Sequence, residues 1–281
     1  GASTIGVEPA TNIACIAQQN GIETINDFFN SAVVKRIIAE KGNADVVTAT
    51  NVFAHVDDIR GLANNVKSLL KKDGIFVIEA PYLVDMLEKM TFDTVYHEHL
   101  SYFSVMPLVN FFKKLNMEIF KIKKVDSHGG SLRIFVKKNE GKFEIDKSVN
   151  SMLENERKLR IDDFATYKKF ADRVYDVKAK LMKCFEEIKA NGKTIAAYGA
   201  PAKGNTLLNF LGIGTDYIDY IVEDNPLKQD KFTPGSHIPV VSPKMLDEKK
   251  PNYILILAWN FANEILNKTK KYKKNGVKFI K

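Results

Sequence analysis

Four consecutive residues, Tyr96-His97-Glu98-His99, place two imidazoles, a carboxylate and a phenol in one short segment. Three kinds of chemistry would use such a run. His97 and His99, two positions apart, would share one face of an extended segment and could both bind a metal ion. The four side chains could instead form a buried network that satisfies its own hydrogen bonds. The third hypothesis is proton transfer, with a histidine as the base.

Proton transfer would suit a substrate that carries a hydrogen on the carbon next to a ketone. A histidine oriented by a carboxylate would take that proton, and a tyrosine hydroxyl or an imidazole N–H would stabilise the enolate oxygen. With an adenosine-type cofactor held opposite, the enolate carbon could then attack an activated methyl group. The run by itself leaves the metal, network and proton-transfer hypotheses open.

The elements that must position this run begin with alternating strands and helices. Over residues 4–80, short apolar runs alternate with amphipathic stretches, which predicts βαβ units and a mostly parallel sheet. The predicted strands are Thr4–Val7, Ile22–Ile25, Asp45–Ala49 and Gly74–Glu79, and the predicted helices are Thr11–Asn20, Ser31–Lys41 and Asp57–Lys71, the last capped by Asp57. Met117–Val125 and Ser131–Lys137 flank a glycine turn and predict an antiparallel hairpin.

Polar and aromatic residues follow the first three predicted strands. Ligands of open α/β sheets bind at the carboxyl ends of the strands. Glu8 closes the first strand, where a carboxylate can accept from ribose hydroxyls, although an acidic residue at a strand end is also common without a ligand. Asp27 and Phe28 follow the second strand and suit the edge and face of an adenine. Asn51 and His55 follow the third strand. These three strand ends therefore predict a binding site for an adenosine and for a second chemical group next to it.

A helical stretch at 149–192 separates this region from a second alternating one. The predicted strands there are Lys193–Tyr198, Tyr217–Val222, Tyr253–Leu257 and Val277–Ile280, the predicted helices are Thr206–Leu211 and Ala262–Lys271, and KFTPGSHIPVV is predicted to be an extended loop. The pattern predicts a smaller doubly wound domain. The domain bounds that follow are 1–148, 149–192 and 193–281.

The loop Tyr198–Asn205 joins a predicted strand to a predicted helix. Its backbone N–H groups, with Lys203 and Asn205, could cradle a phosphate at the helix N-terminus. The spacing matches neither a Walker loop nor GxGxxG, and it also fits an ordinary βα turn. Lys228 and Gln229 lie in the loop after the next strand, where they would add to the same site.

Composition limits the classes of function. The 281 residues are 45% hydrophobic and 27% charged, as in a soluble globular protein of two domains. No apolar run approaches the roughly 20 residues of a membrane span, and no signal peptide is recognisable, so the expected location is the cytoplasm. The net charge of +8 is spread along the chain, which indicates a solvated basic surface and would also suit a phosphate-bearing small substrate. A nucleic-acid partner has only the net charge in its favour. A monomer is the default expectation.

Eight stretches, in order from Gly6 to Ile265, resemble the S-adenosylmethionine-dependent sugar C-methyltransferases, which act on nucleotide-linked keto-deoxysugars. They are GVEP, NVFAHVDD, EAPYL, FDTVYHEHLSYFS, HGGSLR, AYGAPAKGNTLLN, DNPLKQDKFTPGSHIPV and LAWNFANEI. The resemblance implies an α/β fold: a class I methyltransferase Rossmann-like domain, truncated at its first strand and lacking the glycine-rich cofactor loop, followed by a second, smaller Rossmann-like domain.

The same resemblance implies catalytic roles. His99 would be the general base that takes the proton next to the ketone. Tyr96 and Glu98 would assist by positioning and by hydrogen bonding. His55, from NVFAHVDD, would face the same pocket.

The resemblance also implies the ligands. The cofactor would be S-adenosylmethionine, with Glu8 at its ribose and Asn51 near its methionine end, beside Asp27 and Phe28 at the adenine. A nucleotide diphosphate sugar would be the substrate. The expected substrate-binding residues are His128, Lys203, Asn205, Lys228 and Gln229. The family has a zinc-binding N-terminal module, so zinc is expected only there and no metal ligand is predicted in this chain.

Two other functions remain open at this point. Two doubly wound domains would suit a nicotinamide-dependent oxidoreductase, although the GxGxxG pattern is missing from the sequence. A non-catalytic nucleotide-sugar-binding fragment would fit the early first strand. It would bind a nucleotide diphosphate but not S-adenosylmethionine.

Overall fold

The computed structural model describes residues 1–127 and 129–281, which form two compact units. The first unit comprises Gly1–Met86 and Leu100–Asp162, and the second comprises Leu87–His99 and Asp163–Lys281. His128, a predicted substrate ligand, lies outside the described residues. Within the described chain, no helix is both long and apolar enough to cross a membrane.

The first unit opens with the predicted alternation of strands and helices. Its strands are β1 (Gly6–Val7), β2 (Thr24–Ile25), β3 (Ala44–Thr50), β4 (Leu70–Pro81), β5 (Met117–Val125) and β6 (Ser131–Lys138). The helices of this part of the chain are α1 (Thr11–Gln19), α2 (Ser31–Lys41), α3 (Ile59–Leu69), α4 (Leu83–Lys89, which continues into the second unit), α5 (Val105–Lys114) and α6 (Lys147–Lys158).

Strand pairing in the first unit is partly parallel. β1 pairs with β2 in parallel, and a separate sheet has the order β3-β4-β6-β5. In that sheet β3 and β4 are parallel, whereas β6 runs antiparallel to both of its neighbours, β4 and β5. The predicted hairpin is therefore confirmed. Apolar side chains of β2, α2 and α3 share one core, against which β1 and β3 also pack.

The start of α3 differs from the prediction. Asp58, not Asp57, is the N-cap, and its Oδ1 accepts a hydrogen bond of 2.8 Å from the N–H of Gly61. The helix ends at Leu69 because Leu70 already begins β4, where it pairs with Ala44. The apolar pattern could not separate these two adjacent candidate caps, since both are aspartates.

The second unit is a doubly wound sheet. Its strands are β7 (Ile195–Tyr198), β8 (Tyr220–Val222), β9 (Lys231–Phe232), β10 (Pro239–Val241), β11 (Tyr253–Ile256) and β12 (Lys278–Ile280). Its remaining helices are α7 (Phe164–Ala190), α8 (Ala202–Leu211), α9 (Met245–Lys249), α10 (Ala262–Lys268) and α11 (Lys270–Lys274). The strand order is β12-β11-β7-β8-β10-β9, parallel except for β9 against β10. The order therefore reverses between β7 and β11, which is the switch point where such sheets bind ligands.

Three predictions for this unit are wrong in detail. The stretch predicted to be an extended loop contains β9 and β10, which pair antiparallel. Helix α8 begins at Ala202 rather than Thr206, so the GAPAKGN stretch is mostly helical. The predicted helix Ala262–Lys271 is divided at Thr269, whose hydroxyl donates to the carbonyl oxygen of Ile265 at 2.6 Å. A hydroxyl bonded back to a carbonyl in this way weakens a helix.

Gly199 allows the turn between β7 and α8 to lie close to the end of β11. Its φ is +88°, in the left-handed region that favours glycine. A Cβ at this position would also lie 2.6 Å from the Cβ of Ala258. The close approach places the first turn of α8 beside the residues that follow β11.

Candidate functional site

The strand ends of the first unit carry the residues predicted for an adenosine. β1 and β2 run parallel, so Glu8 and Asp27 leave the same edge. The Oε1 of Glu8 accepts from the N–H of Ala10 at 2.8 Å, and the Oδ1 of Asp27 accepts from the N–H of Phe28 at 2.7 Å. The Phe28 side chain is 72% exposed. Each carboxylate can accept further bonds, so the donor set fits ribose hydroxyls and an adenine face.

Asn51 and His55 follow β3 in the adjacent sheet. Asn51 has a φ of +54°, and its N–H donates to the carbonyl oxygen of Glu79 in β4 at 2.8 Å. A left-handed non-glycine residue directly after a strand is uncommon and marks a position that deserves functional testing. His55 ends the 3-10 turn Phe53–His55, in which Phe53 is fully buried and His55 is exposed.

A pocket of about 360 Å³ lies in the second unit beside the first turn of α8. Its size is in the range of small-molecule sites. The residues that line it are Tyr96, His97, Ala200, Pro201, Ala202, Asn205, Thr206, Leu208, Ile221, Leu227, Lys228, Lys231, Phe232, Thr233, Pro234, Val240 and Leu257. The floor is apolar, and the polar groups come from α8, from the loop after β8 and from the Tyr96-His97 pair. Two of the predicted substrate ligands, Asn205 and Lys228, are therefore in the wall.

Glu223, at the end of β8, ties the loops of this pocket together. Its Oε2 accepts from the N–H of Ala200 at 2.8 Å, and its Oε1 accepts from the N–H of Asn225 at 3.0 Å. Lys228 Nζ donates to the carbonyl oxygen of Ala200 at 3.0 Å, and Gln229 Nε2 donates to that of Glu223 at 2.8 Å. Sequence reasoning did not select Glu223, although the strand-end rule that selected Glu8 applies to it equally.

Lys203, predicted to bind phosphate, lies over an indole ring. Its Nζ is 3.7 Å from the ring centroid of Trp259, and Trp259 Nε1 donates to Asp93 Oδ2 at 2.6 Å. Burial lowers the pKa of Lys203 to about 8, against the opposing effect of the Asp93 charge. Burial raises the pKa of Asp93, opposed by the Trp259 hydrogen bond and the Lys203 charge. Asp93 and Trp259 were not selected from the sequence; the signal available was that Trp259 is the only tryptophan.

The Tyr-His-Glu-His run forms a turn. The N–H of His99 donates to the carbonyl oxygen of Tyr96 at 3.0 Å, so the expectation of an extended segment with His97 and His99 on one face is wrong. The aromatic rings of Tyr96 and His99 lie with their centroids 4.4 Å apart. His97 and Glu98 are exposed. Across the described residues, no group of three or more His, Cys, Asp and Glu side chains is arranged to hold a metal ion.

The hydrogen bond of the His99 ring defines its tautomer. Nδ1 lies 2.7 Å from the carbonyl oxygen of Thr94. A carbonyl oxygen can only accept, so Nδ1 carries the proton and the lone pair of the neutral ring is on Nε2. This is the form in which an imidazole takes a proton through Nε2.

Family models match both parts of the chain. A model described as a methyltransferase domain matches 1–122, and one described as a C-methyltransferase C-terminal domain matches 126–281. C-methyltransferase NovU of Streptomyces niveus is 40% identical over 280 residues, which are 100% of this chain and 67% of NovU. These matches set the oxidoreductase hypothesis aside.

The solved structures that match this chain have lower sequence identity. A methyltransferase of Thermotoga maritima is 18% identical with a TM-score of 0.35, over 47% of this chain and 70% of its own. The plantazolicin methyltransferase BpumL, solved with S-adenosylhomocysteine, is 12% identical with a TM-score of 0.38, over 49% of this chain and 68% of its own. The similarity to NovU over the whole of this chain and the two family models establish that this chain belongs to the S-adenosylmethionine-dependent C-methyltransferases.

Proposed function

We propose that the chain methylates a nucleotide-linked keto-deoxysugar at the carbon next to its ketone. The observation that carries this proposal is that Tyr96 and His97 line the same pocket as Asn205 and Lys228. The turn that contains the expected base is thus next to a pocket with the properties of a nucleotide site. An apolar floor suits a base or sugar, and a helix start with amines suits a diphosphate.

The start of α8 supports an anionic ligand. The residue before the helix is Pro201, whose own side chain makes no capping hydrogen bond. The first N–H groups of a helix have no partner within the helix, so they are open to a phosphate oxygen. Lys228 and Lys231, which also line the pocket, add positive charge.

Asn205 supports recognition of the nucleotide base. Its Oδ1 is shielded from solvent and accepts no hydrogen bond from any described residue. A buried polar atom without a partner is costly, so a donor from the ligand would stabilise the complex. An imide N–H, as in uracil or thymine, is a donor of this kind.

Proton abstraction follows from the His99 geometry. Nε2 of His99 takes the proton from the carbon next to the ketone, and the electron pair of that C–H bond becomes the enolate. The Tyr96 hydroxyl stabilises the enolate oxygen, while Glu98 keeps the assisting role inferred from the family. S-adenosylmethionine, when bound, supplies an electrophilic methyl group. Glu8, with Asp27, Phe28 and Asn51, would hold that cofactor.

Replacement of the base tests the mechanism directly. We expect His99→Gln to lower methyl transfer to a thymidine diphosphate keto-deoxysugar by roughly 10²–10⁴-fold, the usual contribution of a general base. The same variant should lose deuterium incorporation into that substrate in D₂O. Its affinity for thymidine diphosphate, measured by calorimetry, should stay within about twofold, since Asn205 and Lys228 are retained.

The control is His237→Asn. His237 is exposed and has a φ of +51°, which asparagine also adopts readily. This variant should keep the wild-type rate. A His99→Gln variant with near-normal turnover would show that another group takes the proton, and His55 would be tested next.

A further inference from the structure

Asp93 is a buried acid that the mechanism above does not use. Its side chain is 4% exposed, and its Oδ2 accepts the 2.6 Å hydrogen bond from Trp259. The ammonium of Lys203 lies over the face of the same indole. A buried carboxylate is costly unless it is paired and hydrogen-bonded, so these two neighbours account for how Asp93 is tolerated. They do not account for what it does.

Asp93 is the middle residue of a tight turn. The 3-10 turn Phe92–Thr94 is closed by bonds from Thr94 N–H to the Thr91 carbonyl oxygen at 3.1 Å and from Val95 N–H to the Phe92 carbonyl oxygen at 3.0 Å. The ring of Phe92 meets the ring of Phe210 in α8 edge to face, with centroids 5.4 Å apart. The turn is therefore anchored to α8 on one side and to Trp259 on the other.

The same turn orients His99. The carbonyl oxygen of Thr94, one residue after Asp93, receives the Nδ1 proton of His99 at 2.7 Å. The Thr94 carbonyl oxygen is part of the backbone of the turn, so any rotation of the turn would move this hydrogen-bond acceptor. The hydrogen bond at the second ring nitrogen decides the tautomer of an imidazole and the direction of its lone pair.

We propose that Asp93, held by Trp259 and Lys203, is a positioning residue that fixes the Thr94 carbonyl oxygen and thereby the His99 imidazole. The inference deepens the proposed function, because it is His99 as the base that gives the positioning a catalytic consequence. The path runs from the indole N–H through the Asp93 carboxylate and the turn to the Thr94 carbonyl and His99 Nδ1.

This support reaches the pocket as well. Lys203 lies on the first turn of α8, between Ala202 and Asn205, which both line the pocket. Tyr96 and His97, which follow the turn Phe92–Thr94 that contains Asp93, line it as well. A ligand in the pocket would therefore contact two segments joined through Asp93, Trp259 and Lys203.

The test is an NMR measurement of the His99 imidazole in the intact chain labelled with ¹⁵N, with the His99 signals assigned by their loss in His99→Gln. In the wild type we expect the tautomer with the proton on Nδ1. In Trp259→Phe, which removes the indole N–H donor and keeps an aromatic ring, although a smaller one, under Lys203, the signals should move toward a mixture of tautomers. Asp93→Asn retains an acceptor for the Trp259 N–H, so its His99 signals should stay close to those of the wild type. Asp93→Ala has no acceptor, so its His99 signals should move as they do in Trp259→Phe.

Kinetics supply the second measurement. With a thymidine diphosphate keto-deoxysugar, kcat and deuterium incorporation should fall in Trp259→Phe and Asp93→Ala by up to about 10²-fold, the effect of a misplaced catalytic group. The affinity for thymidine diphosphate should change little. Asp247→Asn, which breaks an exposed ion pair with Lys271 in the same unit, is the control and should alter neither measurement.

The outcomes separate the two proposals. If Trp259→Phe and Asp93→Ala keep the wild-type His99 signals, the positioning role is overturned, whatever the role of His99. If His99→Gln keeps its deuterium incorporation, the assignment of the base fails instead, while the NMR result still stands. If Trp259→Phe does not fold, Asp93→Asn against Asp93→Ala decides the matter, since a role in folding alone would leave the tautomer of the folded fraction unchanged.

Discussion

The carboxylates around the candidate sites of the two units form their hydrogen bonds in different ways. In the first unit, the carboxylates of Glu8 and Asp27 bond to backbone N–H groups only two and one positions along the chain. In the second unit, Glu223 bonds to a residue 23 positions away, and Asp93 bonds to Trp259 across 166 positions. Local bonds shape a single loop, whereas remote bonds fix several loops against one another.

This difference affects how much of each binding site is already ordered before a ligand binds. Loops fixed in advance lose less conformational freedom on binding, which favours affinity. The pocket of the second unit has loops joined to one another through Glu223 and Lys228. The strand ends around Glu8 and Phe28 present exposed groups, and their two loops are joined through the exposed Asn26, whose Nδ2 donates to the carbonyl oxygens of Glu8 and Pro9. We therefore expect substitutions of structural residues to affect nucleotide binding more than cofactor binding.

The largest effect should come from Glu223→Ala. The change leaves the N–H groups of Ala200 and Asn225 without their carboxylate acceptor, and bonds to a charged group contribute about 1.5–3 kcal/mol each. We expect the affinity for thymidine diphosphate to fall about 100-fold, as measured by calorimetry, because the loops around the pocket lose their connection. The affinity for S-adenosylhomocysteine should not change.

Glu248→Ala is the matched control, since Glu248 is an exposed glutamate on α9 of the same unit. It should bind both ligands as the wild type does. An equal loss of both affinities in Glu223→Ala would mean that the variant is globally destabilised and that the contrast between the two sites is wrong.

The next effect concerns a remote bond within the first unit. Glu156 of α6 is fully buried and accepts from the Tyr82 hydroxyl at 3.0 Å and from the N–H groups of Val105 and Met106 at 2.6 and 2.8 Å. Its carboxylate thus caps α5 from 50 positions away. Glu156→Gln puts an amide N–H in place of one carboxylate oxygen, where it faces another donor, and should lower the free energy of unfolding by about 2 kcal/mol.

Urea unfolding followed by circular dichroism would measure this change, and hydrogen exchange should accelerate at the start of α5. Glu154→Gln on the same helix, at an exposed position, should leave the unfolding midpoint unchanged. If Glu156→Gln were as stable as the wild type, the hydrogen bonds of Glu156 to distant residues would not stabilise the first unit. Its remote bonds would then matter no more than the local bonds of Glu8 and Asp27.

A smaller effect is expected at the strand end itself. Glu8→Ala removes the carboxylate proposed to accept from the cofactor ribose and leaves the pocket of the second unit intact. We expect the affinity for S-adenosylhomocysteine to fall about tenfold, in line with the loss of one hydrogen bond to a charged group. Thymidine diphosphate should bind as before. Glu40→Ala, which breaks an exposed ion pair with Arg36, should change neither affinity.

Local signals in the sequence were enough for much of the fold. Helix α2 has its predicted bounds because Asn30 caps it through two hydrogen bonds and Gly42 follows its last residue with a positive φ. The hairpin of β5 and β6 was likewise readable, since both strands and the glycine turn are adjacent in the chain. Both kinds of signal act over a few residues, where the chain itself brings the partners together.

The sites were only partly predictable for the same reason. The spacing places Lys203 near the start of a helix, but its position over the indole depends on Trp259, 56 positions later in the sequence. The orientation of the His99 ring in the turn at 96–99 depends on the Thr94 carbonyl, and the preceding turn, Phe92–Thr94, is anchored by Trp259. Strand-end rules locate a site, yet they do not say which side chains contact a ligand and which hold the loops.

The smallest effect is a dependence of stability on pH. Burial lowers the pKa of Lys203 to about 8 in the folded chain, from 10.5 as its ordinary value. Between those two values the unfolded chain binds more protons at this residue than the folded chain does. The free energy of unfolding contributed by Lys203 therefore rises as the pH increases from about 8 to 10.5.

Trp259, the only tryptophan in the sequence, reports on this titration because the Lys203 ammonium lies over its ring. Its emission should change with a midpoint near pH 8 in the wild type and should lose that transition in Lys203→Met. Urea unfolding at pH 7.5 and 9.5 should show a larger gain in stability for the wild type than for Lys203→Met, since all other titrations are common to both. Equal gains would mean that the charge of Lys203 is not held over the indole, and the support of Asp93 would then come from the Trp259 hydrogen bond alone.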